Sequence, residues 1–211
     1  MRICEIYQSI QGETYLAGNP TTIIRVAGCN LNCSYCDTKY ALEYGKEMSI
    51  GEILKEVRRL DWKYVMLTGG EPLMQKEALE LSRKITDEGF VLSIETNGSY
   101  DISALCPGAI IVMDIKTPDS GFSDYNRYEN IECLKPEDCV KFVVASQRDF
   151  VWAVNIVREY RIDLKTEYIY FSPAAGFVKP NELAIWILEA HLNVKYNPNL
   201  HRWIWGNEKG R

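Results

Sequence analysis

Three cysteines, Cys29, Cys33 and Cys36, fall within eight residues at the spacing C-x3-C-x2-C, directly after the apolar run 23–28. A loop that short turns three thiolates toward one point. Soft thiolate ligands select zinc, Cu(I) or iron–sulfur centres. A structural zinc site closes with four ligands, typically in two paired motifs. Here the local count stops at three, and the two histidines, His191 and His201, lie far away in sequence. Three thiolates suit a cubane cluster with one iron left open for a ligand that reacts. Arg25 lies inside the apolar run, and a buried arginine needs a partner; a functional one is expected. The remaining thiols, Cys4, Cys106, Cys133 and Cys139, form no further ligand set: Cys133 and Cys139 are too few for a second cluster and read as isolated thiols.

The elements that must position these groups are short strands alternating with amphipathic helices. Residues 3–7 read as a leading strand, 22–27 as the first core strand, and the cysteine loop follows. Ser49-Ile50-Gly51-Glu52 is a capping box, opening a helix whose Ile50, Ile53, Leu54 and Val57 share one face. Strand 64–68 ends in Gly69-Gly70-Glu71-Pro72, and a helix over 76–88 closes on Gly89. Strand 90–95 ends in Thr96-Asn97-Gly98, and strand 109–114 leads into a polar loop, 117–130. Strand 140–145 precedes a box-like Ser146 to Asp149 and a helix; strand 168–171 meets Ser172-Pro173. A helix over 181–192 and a last strand over 202–205 complete the chain.

Strands alternating with helices predict a parallel sheet. About six are too few for a closed eight-stranded barrel, so the expectation is an α/β fold: an open partial (β/α)6 barrel with a short N-terminal strand extension, one domain over 1–211. In such sheets ligands gather at the C-terminal strand ends. The cysteine loop, Gly69-Gly70, the turn 95–98, Asp114-Ile115-Lys116 and Ser172-Pro173 all follow strands, which puts them on one rim.

Bulk composition narrows the partners. The chain has 211 residues, 46% hydrophobic and 25% charged, with net charge −5 and an isoelectric point near 5.2. Phosphate-backbone binding needs a basic footprint, so no direct nucleic-acid partner is expected. No apolar run approaches the roughly 18 residues of a membrane helix, and residues 1–5 do not read as a signal peptide. Seven cysteines, three of them crowded together, argue against a disulfide framework and for a reducing, cytoplasmic setting.

With Tyr35 before its third cysteine, the motif resembles the signature of the radical S-adenosylmethionine (radical SAM) superfamily, and Gly69-Gly70-Glu71-Pro72 resembles that family's GGEP segment. The resemblance implies a [4Fe-4S] cluster on Cys29, Cys33 and Cys36. Its open iron would chelate S-adenosyl-L-methionine, and reduction would give a 5′-deoxyadenosyl radical. Tyr35, Cys36, Asp37 and Gly70 would touch the cofactor, with Glu71 and the GGEP backbone at its amino group. The turns Asp114, Ile115, Lys116 and Ser172, Pro173, Ala174, Ala175 would hold the rest.

Ser9-Ile10-Gln11-Gly12-Glu13, Arg25 within R-x-A-G-C-N-L-x-C, Cys36-Asp37-Thr38 and His201 resemble the 7-carboxy-7-deazaguanine synthase family over essentially the whole chain. That resemblance implies conversion of 6-carboxy-5,6,7,8-tetrahydropterin to 7-carboxy-7-deazaguanine and ammonia. Hydrogen abstraction at C6 starts the ring contraction, and the product serves queuosine or archaeosine in tRNA. It further implies Mg2+ on Thr38, and substrate contacts from Ile10, Gln11, Gly12, Glu13, Arg25, Thr68, His201 and Arg211. An electron donor such as flavodoxin or ferredoxin and a homodimer follow in the same way.

Other readings stay open on the residues. Thr38 also reads as a cap of the next turn, Asp114 and Lys116 as a strand-end ion pair, and His201 as a surface histidine. Trp203 and Trp205 read as core. The charged stretch 207–211 counts against a role for the carboxylate of Arg211. A glycyl-radical activase shares the cluster and GGEP segments but not residues 9–13 with Arg25; ammonia release separates the two. A non-enzymatic zinc or redox module is the alternative of another class, separated by iron and sulfide analysis.

Overall fold

The computed structural model describes residues 1–206, 208 and 210. β1 (Arg2–Ile10) is longer than the leading strand expected at 3–7, because it pairs antiparallel along the whole of β2 (Pro20–Val26). β3 (Lys46–Glu47) adds a short outer edge to β1. From β2 onward the ladder is parallel, through β4 (Tyr64–Gly69), β5 (Val91–Thr96), β6 (Ile110–Asp114), β7 (Cys139–Val144) and β8 (Tyr168–Pro173) to the two-residue β9 (Lys195–Tyr196). The order is β3-β1-β2-β4-β5-β6-β7-β8-β9 in one open sheet. Six long parallel strands make it the expected partial barrel, with β1 as its antiparallel extension.

Successive side chains of a strand point to opposite faces, and here the two faces have different work. Ile24, Leu67, Leu92, Ile94, Ile111, Met113, Phe142 and Phe171 point outward into one apolar core. Against them pack α1 (Ile50–Leu60), α2 (Ala78–Asp87), α3 (Gln147–Glu159) and α4 (Pro180–Glu189), through Ile53, Val57, Leu81, Ile85, Val154, Val157 and Leu183. The alternate residues, including Arg25, Met66, Thr68, Glu95, Asp114 and Lys141, line the inside of the curved sheet.

Helix ends follow local chemistry. α1 carries the full capping box between Ser49 and Glu52 and stops at Asp61 in a left-handed conformation. Gly89, at φ +87, accepts the turn that ends α2. The box expected at Ser146 is only half made. Its hydroxyl accepts from Asp149 N, but the Asp149 carboxylate does not return; it takes Thr117 Oγ1, Asp119 N and Ala145 N at 2.9–3.0 Å. Asp149 thereby ties α3 to the loop after β6.

Two expectations change, and two crossovers depart from the plain β/α alternation. The crossovers from β5 to β6 and from β6 to β7 carry no α-helix. The second is built of 3-10 turns at Pro118–Ser120, Ser123–Tyr125 and Tyr128–Cys133. Side chains take over the backbone's hydrogen bonds there: Asn126 bonds both Lys116 N and O, and Asn130 bonds Ile102 N and two carbonyls. The last strand expected at 202–205 is instead a helix, α5 (Leu200–Trp205), entered through Asn199 at φ 48; four residues rich in large apolar side chains do not distinguish the two periods. Trp203, expected in the core, is 84% exposed, since a single short helix at the rim cannot bury all its faces.

Candidate active site

The inner face of the sheet and the loops at its C-terminal strand ends enclose a cavity of about 340 Å3. Cys29, Cys33 and Cys36 lie in its wall together with Tyr35, Asp37 and Thr38. The loop is held at both ends by backbone bonds: Gly28 N to Ala41 O at 2.8 Å, Cys36 N to Cys33 O at 3.2 Å, and Ser34 N to Ser120 O at 3.2 Å. Asn97 braces it from the turn after β5, donating to Asn30 Oδ1 at 3.0 Å with Cys29 Sγ at 3.7 Å.

Gly70 explains its own identity through packing. A Cβ there would overlap the Gly28 carbonyl, which accepts Glu71 N at 2.9 Å while Gly70 N donates to Val26 O. Glu71 does not face the cavity as the GGEP resemblance implies. It is fully buried and accepts from Leu73 N, Thr96 Oγ1 and Asn97 N at 2.7–2.9 Å, with burial holding its carboxyl above the ordinary range. Its work is to lock the turn after β4 to the turn after β5. Both Cys29 and Cys33 are pushed up by burial; a coordinating metal would take their protons.

On the opposite wall Asp114 Oδ2 meets Lys116 Nζ at 2.9 Å, while Asp114 Oδ1 is buried with no hydrogen-bond partner. The ion-pair reading of these two is therefore correct, and both also line the cavity. Ile115, between them, points outward into the core at 3% exposure and is not brought to the site; period two alone separates it from its neighbours. Ser172, Pro173, Ala174 and Ala175 form the adjoining rim. Tyr35 OH lies 3.4 Å from Thr117 Oγ1.

The first strand and its loop close the other end. Gln11 donates to Met66 Sδ at 3.1 Å and takes Gly12 N at 2.8 Å, which turns residues 10–13 along the cavity. α5 docks there through Leu200 N to Gly12 O at 2.8 Å, and the His201 ring sits where a Gly12 Cβ would be. His201 is thus a cavity residue rather than a surface one. Thr38 occupies the cap position of the turn Lys39–Leu42 but makes no cap bond; its hydroxyl donates to Asp37 Oδ1 at 2.8 Å. Thr68 donates to Glu95 Oε2 at 3.0 Å. Arg25 lines the same end, bonded to Glu5 and Tyr7. The Arg211 expectation lies outside the described residues.

Two charged residues escaped the sequence reading. Lys141 sits at the floor, 2.7 Å from Glu13 Oε2 and 4.0 Å from Asp114 Oδ2, with Glu95 beside it. Burial opposes the Lys141 charge, yet the surrounding carboxylates hold it well above its ordinary value. Burial likewise opposes the Glu13 charge, but Lys141 outweighs it and holds that carboxyl low. Glu95 goes the other way, raised by burial and by Glu13 against the pull of Lys141. The signal that singled out Arg25, a cation in an apolar strand, was equally present at Lys141 in Cys139-Val140-Lys141-Phe142.

The residues present fit a cluster and a cofactor. Among the described residues no three Cys, His, Asp or Glu side chains gather closely enough for a single ion, whereas a cubane takes its thiolates on separate irons. The buried, unpartnered Asp114 Oδ1 is an acceptor in need of a donor, and Gly69 and Gly70 line the cavity beside the cysteine loop. Cys139, by contrast, packs with Val112 and Tyr170, and Cys133 is exposed; neither joins the site.

Comparison with known proteins bears on the family and the fold. Residues 23–173 match the model of the Radical SAM superfamily. A 7-carboxy-7-deazaguanine synthase of Methanospirillum hungatei is 40% identical over 97% of this chain and 85% of its own. Those of Koribacter versatilis and Thermoplasma acidophilum are each 34% identical, over 99% and 100% of this chain and 98% and 100% of theirs. Among solved structures, QueE from Escherichia coli superposes with a TM-score of 0.74 at 24% identity, covering 92% of each chain. Streptococcus suis SuiB bound to S-adenosylmethionine superposes at 0.55 with 14% identity, covering 80% of this chain and 47% of its own. At such identities the last two bear on the fold alone.

Proposed function

The chain belongs to the radical SAM superfamily and, within it, to the 7-carboxy-7-deazaguanine synthase family, and from that premise we propose that it converts 6-carboxy-5,6,7,8-tetrahydropterin to 7-carboxy-7-deazaguanine and ammonia. The observation that carries this reading is the meeting of two residue sets in one cavity: the three-cysteine loop with Gly70, and the residues 10–13 with Arg25, Thr68 and His201. The first set alone suits any enzyme of the superfamily. The second supports a small, polar, carboxylate-bearing substrate beside it.

Cys29, Cys33 and Cys36 would hold the [4Fe-4S] cluster, and Tyr35, Asp37, Gly70, Asp114, Lys116 and residues 172–175 would surround S-adenosyl-L-methionine. When bound, the two supply a 5′-deoxyadenosyl radical that takes the hydrogen from C6 of the substrate. The protein's own share is positioning and exclusion. Gln11, Gly12 and Thr68 frame the pterin, Arg25 takes its carboxylate, and His201 closes the open side from α5. Holding the substrate in one orientation directs the abstraction to one hydrogen. Thr38 offers Mg2+ a hard hydroxyl oxygen beside Asp37. Glu95, pushed up by burial, and Glu13, held low by Lys141, are two carboxyl groups shifted in opposite directions within one site, an arrangement suited to the proton transfers of ammonia loss. The electron comes from a donor such as flavodoxin or ferredoxin, the protein works as a cytoplasmic homodimer, and its product serves queuosine or archaeosine in tRNA.

Anaerobic reconstitution tests the proposal. The protein with iron, sulfide, S-adenosyl-L-methionine, a low-potential reductant and the carboxytetrahydropterin should release one ammonia per deazaguanine formed, and Cys33→Ala should abolish both the visible absorption of the cluster and turnover. A fully loaded cluster with no ammonia released refutes the reading.

A further inference from the structure

Arg25 is the residue to which the proposed function gives the substrate's carboxylate, but the structure first gives it a carboxylate of the protein's own. Arg25 Nε donates to Glu5 Oε1 at 2.8 Å, and Nη2 donates to Tyr7 OH at 2.8 Å. The Tyr40 hydroxyl donates to the same Glu5 oxygen at 2.7 Å. Glu5 stands directly opposite Arg25 in the β1–β2 ladder, just past the irregularity in register at Ile3/Glu5. The guanidinium carbon lies 5.9 Å from the ring centroids of both Tyr7 and Tyr40. Gly69 leaves room for the stem, since a Cβ there would come within 2.8 Å of Arg25 Cγ. Side-chain exposure is 14% for Arg25 and 23% for Glu5.

A guanidinium meets carboxylates along one of two edges, the side formed by Nε with Nη2 or the end formed by Nη1 with Nη2. Glu5 takes the side edge at Nε, and Tyr7 accepts from one of the two hydrogens of Nη2. Among the described residues Nη1 has no hydrogen-bond partner, and Arg25 lines the cavity. The free edge is therefore the end. The charge of Glu5 also offsets the cost of a nearly buried cation before any ligand arrives.

We propose that Glu5, on a strand outside the segment 23–173 that matches the superfamily model, is a positioning residue. Braced by Tyr40, and with Tyr7 on the second nitrogen, it holds Arg25 end-on so that a substrate carboxylate is bound through two parallel hydrogen bonds. This selects a pterin bearing a carboxylate at the ring carbon facing Arg25 over one lacking it, and it rests on the substrate class proposed above.

The test is equilibrium binding of 6-carboxypterin and of unsubstituted pterin to the reconstituted protein, alongside steady-state kinetics. Charged hydrogen bonds of this kind are worth roughly a 10- to 100-fold change in affinity. Glu5→Ala should weaken 6-carboxypterin by about that factor and leave pterin within about twofold, with KM rising far more than kcat falls. Tyr40→Phe, which keeps Glu5 and the strand intact, should give the same selective loss, several-fold in size, and covers the case in which Glu5→Ala fails to fold. If both variants lose the two ligands equally, or keep the wild-type preference, Glu5 has no positioning role. If the wild-type protein itself does not distinguish the ligands, the substrate reading falls and the proposal with it, an outcome separate from the first.

Discussion

Thr38 shows how much one hydroxyl's surroundings matter. As a helix cap its oxygen would accept a backbone N–H, and as a metal ligand it would turn to the cavity. It makes no cap bond; it lines the cavity and donates to Asp37 Oδ1 at 2.8 Å. A cation arriving there meets two oxygens already side by side, and the Asp37 carboxyl is held low by the Thr38 hydroxyl and the nearby Arg202 despite burial opposing its charge. Thr38→Ala should leave iron and sulfide content unchanged and abolish the stimulation of turnover by Mg2+, while Thr38→Ser keeps most of it. Titration of activity with Mg2+ checks this, and an unaltered Mg2+ dependence in the alanine variant removes Thr38 as a ligand. The residue scale also separates Glu71 from Glu95. Both are carboxyls raised by burial, but Glu71 accepts three bonds from the two turns it joins, and Glu95 accepts one and faces the cavity.

At the scale of elements, the turn after β4 and the cysteine loop after β2 form one unit. Glu71 N and Gly70 N bond the backbone on either side of Ala27, at Gly28 O and Val26 O. Gly70→Ala puts a methyl into the Gly28 carbonyl. The expected cost is roughly 1–3 kcal/mol, seen as a lower melting temperature, together with a reduced iron load after reconstitution because the loop bearing Cys29 must shift. Gly51→Ala is the control: its Cβ meets nothing within 4 Å in the first turn of α1, and it should stabilise the protein by roughly 0.5–1 kcal/mol. Equal iron loading in the two variants would show that the loops are not coupled. α5 is a second element whose value lies in what it touches, since its docking on Gly12 carries His201 into the cavity while Trp203 on the same helix stays in solvent.

Across the whole molecule, the charges inside the sheet form a chain from Glu13 through Lys141 and Asp114 to Lys116, crossing from the substrate end to the cofactor end. Lys141→Met leaves Glu13, Glu95 and Asp114 without their shared cation. The loss at pH 7 should be about 3–5 kcal/mol, and its pH dependence has a definite sign. Glu13 has a lowered value in the folded protein, so in the wild type its contribution is complete above the unfolded value of about 4.3 and is lost as pH falls through the lower folded one. Glu95 has a raised value, so it costs stability as pH climbs from about 4.3 through that raised value. Without Lys141 both groups follow the second pattern. Urea unfolding should therefore find the variant most destabilised at neutral pH and closer to the wild type near pH 4; a deficit independent of pH would assign Lys141 to packing alone.

The inventory of chemistry and the frame that carries it were legible in local sequence. Cysteine spacing, apolar strands with period-two alternation, and turns placed after strands are local patterns, and local patterns are written within a few residues of each other. Period two even contained the split between Lys116, facing in, and Ile115, facing out. Tertiary structure alone decided the pairings. Glu13 reaches Lys141 across 128 positions, Thr14 reaches Asn197 across 183, and Glu5 meets Arg25 only through the register of two antiparallel strands. It also decided that 202–205 coils, because a helix there places His201 on Gly12, a gain that no window of four residues records. Such contacts depend on where the chain returns in space, and many partners in sequence are equally compatible with each residue until the sheet closes around the cavity.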